Sequence, residues 1–192
     1  MRFGRTLIAS LITASVALAW PGGASAEPSG ETALSFLFPS FSTSSSPVPR
    51  QTVMYNSNLP PGSIEVNTRE RRLYFITGNG QAIRYGIGVG RDGFRWSGVH
   101  RVTAKKEWPS WTPPAQMLRR RPDLPRFMEG GPDNPLGARA MYLGSTLYRI
   151  HGSNEPETIG QAVSSGCFRM VNEDVIDLYN RVAVGATVVV KN

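Results

Sequence analysis

The sequence predicts a mainly β fold, a sandwich or barrel of short strands with one or two short helices and a long proline-rich excursion. Three observations carry that expectation. Short segments with alternating apolar and polar residues are separated by glycine-bearing turns. A clear helical period stands out in one stretch near the C-terminus. Residues 109–137 hold seven prolines, which lack the N–H that a central strand must donate.

The elements follow in chain order. "SIEVNT" (63–68) alternates. "RRLYFIT" (71–77) and "AIRYGIGVG" (82–90) flank "GNGQ" and read as a hairpin around Asn79-Gly80, a pair suited to positive φ. "GVHRVTAKKEW" (98–108) is a further strand. The excursion 109–137 then crosses the surface; its length suits either a lid over a site or a plain connector. "ARAMYLG" (138–144) and "LYRIHG" (147–152) are strands joined at "GST". "VNEDVIDLYNRV" (171–182) is a helix, with Asn172 as its expected N-cap and Glu173 and Asp174 at the positive end of its dipole. Val171, Val175, Leu178, Tyr179 and Val182 form its core stripe, and "ATVVVK" (186–191) is a closing strand.

The first 26 residues do not fit this pattern. Arg2 and Arg5 precede an uncharged, largely apolar run that ends in Ala24-Ser25-Ala26, the form of a secretory leader cleaved after Ala26. A retained membrane anchor is the alternative. Residues 27–58 are expected as a flexible Ser/Pro-rich linker, although β-type character starts near Gln51, and 59–192 as the folded domain. A chain of 192 residues suffices for one such core. On this reading the mature protein is exported, periplasmic and not membrane-spanning.

The formal net charge is +7, and +5 without residues 1–26, which hold two arginines and no acid. The charges are scattered, and no basic helix or RNA-binding signature appears. Nucleic acid is therefore not an expected partner, whereas a carboxylate-rich bacterial wall is.

The chain has a single cysteine, Cys167, and two histidines, His100 and His151. Outside the cytoplasm structural cysteines pair, so a solitary one is a buried filler, an intermolecular link or a reactive thiol. His151 ends a strand, and Cys167 follows 15 intervening residues later in "SSGC". A fold that brings them together gives a thiol and a base to take its proton. Gly166 allows a tight turn before the cysteine, whose N–H then faces a developing oxyanion. The nearby helix start and Arg169 are expected to lower the thiol pKa. Two histidines and one cysteine do not make a zinc site with a familiar spacing, so no metal is expected.

"IHG" followed by "SSGCFRM" resembles the signature of the YkuD-type L,D-transpeptidases. The resemblance spans roughly residues 60–191 and includes "GVGRDGFRWSG", "PSWTPP" and "NPLGARAMYL". It implies a β-sandwich-like catalytic domain with the cysteine in a crevice beneath a lid. It also implies action on peptidoglycan stem peptides. The cysteine attacks the carbonyl of an L-centre, normally of meso-diaminopimelate, the terminal D-residue leaves, and the thioester passes to an acceptor amine. A wall-anchored protein is a further implied acceptor. Residue by residue, Cys167 matches the nucleophile and His151 the base. Gly152 matches the residue whose carbonyl orients the imidazole, and Gly166 with the Cys167 N–H the oxyanion site. Arg169 matches an arginine that supports the site or a substrate carboxylate. Ser165 stands where many members carry histidine, and His100 matches no catalytic position. The resemblance further places Trp108, Trp111, Pro113 and Tyr142 near the crevice.

The resulting expectation is an exported L,D-transpeptidase without metal or organic cofactor. An L,D-carboxypeptidase sharing its first half-reaction, a non-catalytic wall-binding module and a thiol-linked dimer are the alternatives.

Overall fold

The computed structural model describes residues 46–192. The leader and most of the linker lie outside the described residues. Eleven strands form: β1 Gln51–Met54, β2 Ile64–Asn67, β3 Arg72–Gly78, β4 Gln81–Gly86, β5 Val89–Gly90, β6 Gly98–Glu107, β7 Arg139–Leu143, β8 Arg149–His151, β9 Ala162–Ser164, β10 Phe168–Arg169 and β11 Thr187–Lys191. Two helices accompany them, α1 Ala115–Arg120 and α2 Asn172–Arg181.

Nine strands make one sheet in the order β1-β4-β3-β2-β11-β6-β7-β8-β10, and β5 pairs with β9 beside it. The chain's last strand sits in the middle of this order, parallel to β2 and antiparallel to β6. β6 is the hinge of the architecture. Its first residues pair with β11, and from Val102 onward it pairs with β7, with a register shift between Val102 and Ala104. Such a bulge bends a strand and raises its twist, which lets one long strand serve both halves. The halves close on a shared core that includes Ile64, Leu73 and Tyr85 from one and Met141, Ile150 and Phe168 from the other. The sheet is sandwich-like and does not close into a barrel.

The strands fall where the sequence places them. Asn79 and Gly80 both have positive φ, at 53° and 68°, so the β3–β4 hairpin turns as its Asn-Gly pair requires. α2 buries Val175, Leu178 and Val182 against the sheet, and Tyr179 packs at the edge.

Four details differ from expectation. β1 lies inside the stretch assigned to the linker; it pairs with β4 from Gln51 to Met54, and Arg50 reaches Asp177 on α2 at 3.3 Å. Val48 also packs so closely on Gly86 that a Cβ there would lie 2.5 Å from it. Second, the α2 N-cap is Val171, with no side-chain capping bond. Asn172 instead turns its Oδ1 outward to accept the Ala138 N–H at 2.8 Å. Third, the proline-rich excursion contains α1, a helix starting at Pro114 and Ala115. Trp111 and Met128 exchange two backbone hydrogen bonds of 2.8 Å at its base, closing it into a flap. Fourth, a three-residue strand, β9, lies in the crossover between β8 and β10 and pairs parallel with the two-residue β5.

Candidate active site

The register of β8 and β10 assembles the site. The two strands run parallel, with Ile150 opposite Phe168 and His151 opposite Arg169. Ile150 and Phe168 point into the core, at 0% and 1% exposure. Side chains alternate along a strand, so Arg149 and His151 on β8, Arg169 on β10 and Cys167 immediately before it share the opposite face. β7 extends that face, because Tyr142 pairs with Arg149 and Met141, its inward neighbour, with Ile150. The sole cysteine, at the entry to β10, and the second histidine, at the end of β8, thus lie on one side of the sheet.

His151 is buried. Its Nδ1 donates to the Gly152 carbonyl at 2.5 Å; a carbonyl only accepts, so the proton is on Nδ1 and Nε2 is bare. Burial pushes its pKa down to about 3, with Arg169 and Arg149 acting the same way and the Gly152 bond opposing them. At neutral pH the imidazole is neutral and able to accept a proton. The Gly152 peptide is itself held: its N–H donates to Arg139 at 3.0 Å, and a Cβ there would meet Asn172 Oδ1 at 2.4 Å. Asn172, expected as a helix cap, therefore packs the peptide that orients the His151 imidazole.

Cys167 Sγ lies 3.8 Å from the Leu147 carbonyl, toward which it donates. Among the described residues no hydrogen bond joins it to the imidazole. Burial raises the thiol pKa, opposed by the charge, backbone N–H and guanidinium of Arg149 and by the charge of Arg169. This reverses the expected lowering: near the sulfur, desolvation outweighs the two arginines. The resting pair is a thiol and a neutral imidazole rather than an ion pair.

The turn before the cysteine is fixed by residues that sequence reasoning did not assign. Ser164 Oγ accepts the Gly166 N–H at 3.1 Å and donates to the Cys167 carbonyl at 2.6 Å. Gly166 has φ +110°, and a Cβ on it would lie 2.5 Å from Tyr148 Cε1. Trp96 Nε1 donates to the Gly166 carbonyl at 2.7 Å and stacks on Tyr148 with centroids 4.4 Å apart. The Gly166 N–H is thus taken up by Ser164, while the Cys167 N–H donates to no group among the described residues. Ser165 is half-buried, and its hydroxyl makes no hydrogen bond among the described residues. Trp96 stands inside the quoted "GFRWSG"; its nearness to position 166 is a long-range fact that no local pattern carries.

Arg169 is spent on Glu155, 2.7 Å away. Arg149 stacks its guanidinium 5.2 Å from the Tyr142 ring, which also faces Lys106 Nζ at 5.7 Å. Trp111 and Pro113 are buried, while Trp108 is largely exposed. Arg120 of α1 packs 5.0 Å from the Phe94 ring, and the Phe94 carbonyl lies against Gly166, so the excursion reaches the loop beside the cysteine turn. His100, on β6, makes an edge contact with Trp96. Among the described residues no three His, Cys, Asp or Glu side chains group as metal ligands, and no helix is long and apolar enough to cross a membrane.

With this geometry in hand, the sequence compares directly with known families. The YkuD model, described as the L,D-transpeptidase catalytic domain, matches residues 61–190. The chain belongs to the YkuD-type L,D-transpeptidase family. The probable L,D-transpeptidase ErfK/SrfK of Escherichia coli is 40% identical over 134 residues, covering 65% of this chain and 42% of that one. The chain thus spans less than half the length of such curated relatives. A crystal structure from Brucella melitensis, named for a probable carnitine operon oxidoreductase, is 45% identical with a TM-score of 0.50, over 71% of this chain and 89% of that one. Its name describes that protein. The catalytic domain of an Enterococcus faecium L,D-transpeptidase shares the fold, with a TM-score of 0.54 at 21% identity over 70% of this chain and all of that one.

Proposed function

We propose that the chain is an exported, periplasmic L,D-transpeptidase that works on peptidoglycan stem peptides through a Cys167 thioester. The observation that supports this is the parallel pairing of β8 with β10, whose register puts Cys167 and the buried His151 on one face, together with the Nδ1 bond to Gly152 that leaves Nε2 unprotonated. Attack of Sγ on the donor carbonyl passes the thiol proton to Nε2. The Cys167 N–H, free of a partner among the described residues, faces the oxyanion. Collapse expels the terminal D-residue as an amine, which takes the proton from the imidazolium. The neutral imidazole then deprotonates the incoming acceptor amine, and the thioester is exchanged for an amide. The thiol supplies the covalent chemistry, so the reading calls on no cofactor. The +5 charge of the chain beyond residue 26 suits a carboxylate-rich wall. Acceptors are a second stem or a wall-anchored protein.

The test incubates purified protein with disaccharide-tetrapeptide and follows products and intact enzyme by mass spectrometry. Loss of the terminal D-residue, a stem adduct on Cys167 and cross-linked dimer are expected, and none of them with Cys167→Ser. Hydrolysis without dimer would make it a carboxypeptidase. No adduct and no product would overturn acyl transfer altogether.

A further inference from the structure

We propose that Arg149 determines donor specificity by holding the terminal carboxylate of the donor peptide beside the nucleophile, an inference that rests on the acyl-transfer reading above. Two arginines flank Cys167 on the site face, and they are not equivalent. Arg169 already has a carboxylate, Glu155, at 2.7 Å. Arg149 forms no ion pair among the described residues, and its Nε is buried there without a hydrogen-bond partner. Its guanidinium lies over the Tyr142 ring, and Lys106 adds a second positive charge across that ring. A buried donor edge with no acceptor is unfavourable, and a planar guanidinium is shaped to take a carboxylate in a bidentate pair.

The position of Arg149 selects which carboxylate. It precedes Ile150, the register partner of Phe168, and so stands level with Cys167, where its positive charge works against the burial that raises the thiol pKa. A donor carbonyl in contact with Sγ has its next residue one Cα step, about 3.8 Å, further on. The carboxylate within that reach is the one borne by the departing terminal residue. A carboxylate at the end of a diamino acid side chain is several bonds more distant. Arg149 would thereby restrict attack to the last peptide bond of a stem with a free C-terminus. The residue that the motif suggested for a substrate carboxylate, Arg169, is instead occupied within the protein.

The experiment compares tetrapeptide donors ending in a free acid or a carboxamide. Wild type is expected to favour the acid by about 10- to 100-fold in kcat/KM, the span of a charge-assisted pair. Arg149→Gln should bring the acid-to-amide ratio to within about threefold of unity, whatever common slowing the loss of a charge beside the thiol adds to both donors. Arg149→Lys, which keeps the charge without the fork, should show an intermediate preference. If wild type treats both donors alike, or if Arg149→Gln slows both equally, the proposal fails, because support of the turn or of the thiol would affect both. Calorimetric binding to Cys167→Ala isolates the subsite from the chemistry. Tighter binding of the acid peptide, lost when Arg149→Gln is added, upholds the subsite even if no turnover occurs. Turnover without carboxylate discrimination refutes the subsite and leaves acyl transfer standing.

Discussion

His151 shows how burial sets a residue's chemistry. An exposed imidazole of ordinary pKa would be protonated over most of its population at pH 5, and a reaction needing its free base would slow roughly thirtyfold there. With its pKa pushed down to about 3, His151 remains the free base. Acyl-enzyme formation is therefore expected to show no acid limb between pH 7 and pH 5; a tenfold fall over that range would contradict the assignment. His151→Ala should abolish acylation at neutral pH with the fold preserved, checked by mass spectrometry alongside thermal unfolding. Gly166 is the second residue whose identity is dictated locally. Gly166→Ala must hold φ near +110° and displace the Tyr148 ring, so a loss of about 1–3 kcal/mol and slower acylation are expected. The sequence displayed the sulfur, the imidazole and the glycine, because each is a rare or conformationally distinct residue type. It did not display Ser164, Trp96 or Arg149. A serine beside a serine, a tryptophan 71 positions from the cysteine and an arginine on a strand gain meaning only through register and stacking.

At the scale of elements, the strands were legible because alternation and the Asn-Gly turn are local signals, and α2 because its apolar stripe has a clean period. The order of those strands was not. The insertion of β11 between β2 and β6 depends on pairing across more than 85 residues of chain. The linker boundary at 58 takes in β1, although β-type character starts near Gln51, because this exposed edge carries little apolar pattern. α1 was missed because prolines dominate its surroundings, although Pro114 just before its first residue suits a helix start. Asn172 joins two elements: its Oδ1 ties the start of α2 to Ala138 at the head of β7, against Gly152. Asn172→Ala leaves that N–H without its acceptor and is expected to cost about 1–3 kcal/mol by denaturant unfolding. Because Gly152 orients the imidazole, the same change should reduce kcat more than KM.

For the whole molecule, two buried groups titrate in opposite senses. His151 binds its proton more readily when unfolded, so folding stability falls as pH drops from about 6.5 to about 3, by up to about 1.4 kcal/mol per unit. Asp174 on α2 has its pKa raised to about 6 by burial, with Arg50 opposing, so the folded state takes up its proton first. It adds stability as pH drops from about 6 toward the usual carboxylate value. The two nearly offset between pH 6 and pH 4. Asp177, held low by Arg181 and Tyr85 despite its burial, removes stability below that range. Denaturant midpoints should stay almost level from pH 6 to pH 4 and fall below it. Asp174→Asn should turn the level region into a decline, and a midpoint that stays level in that variant would contradict the balance.

The parallel alignment of β8 with β10 has a consequence for how such chains vary. Cys167 and His151 are placed by the register of neighbouring segments and not by the number of residues connecting them. The part of the connecting stretch between Glu155 and β9 can therefore lengthen, shorten or acquire new turns more freely than Gly152 or Ser164–Gly166, which hold the imidazole and the cysteine turn. Losing Phe168, the one residue between Cys167 and Arg169, would instead shift the register and turn the Cys167 side chain to the other face. Comparisons that count positions from base to thiol follow the part of the chain most free to drift.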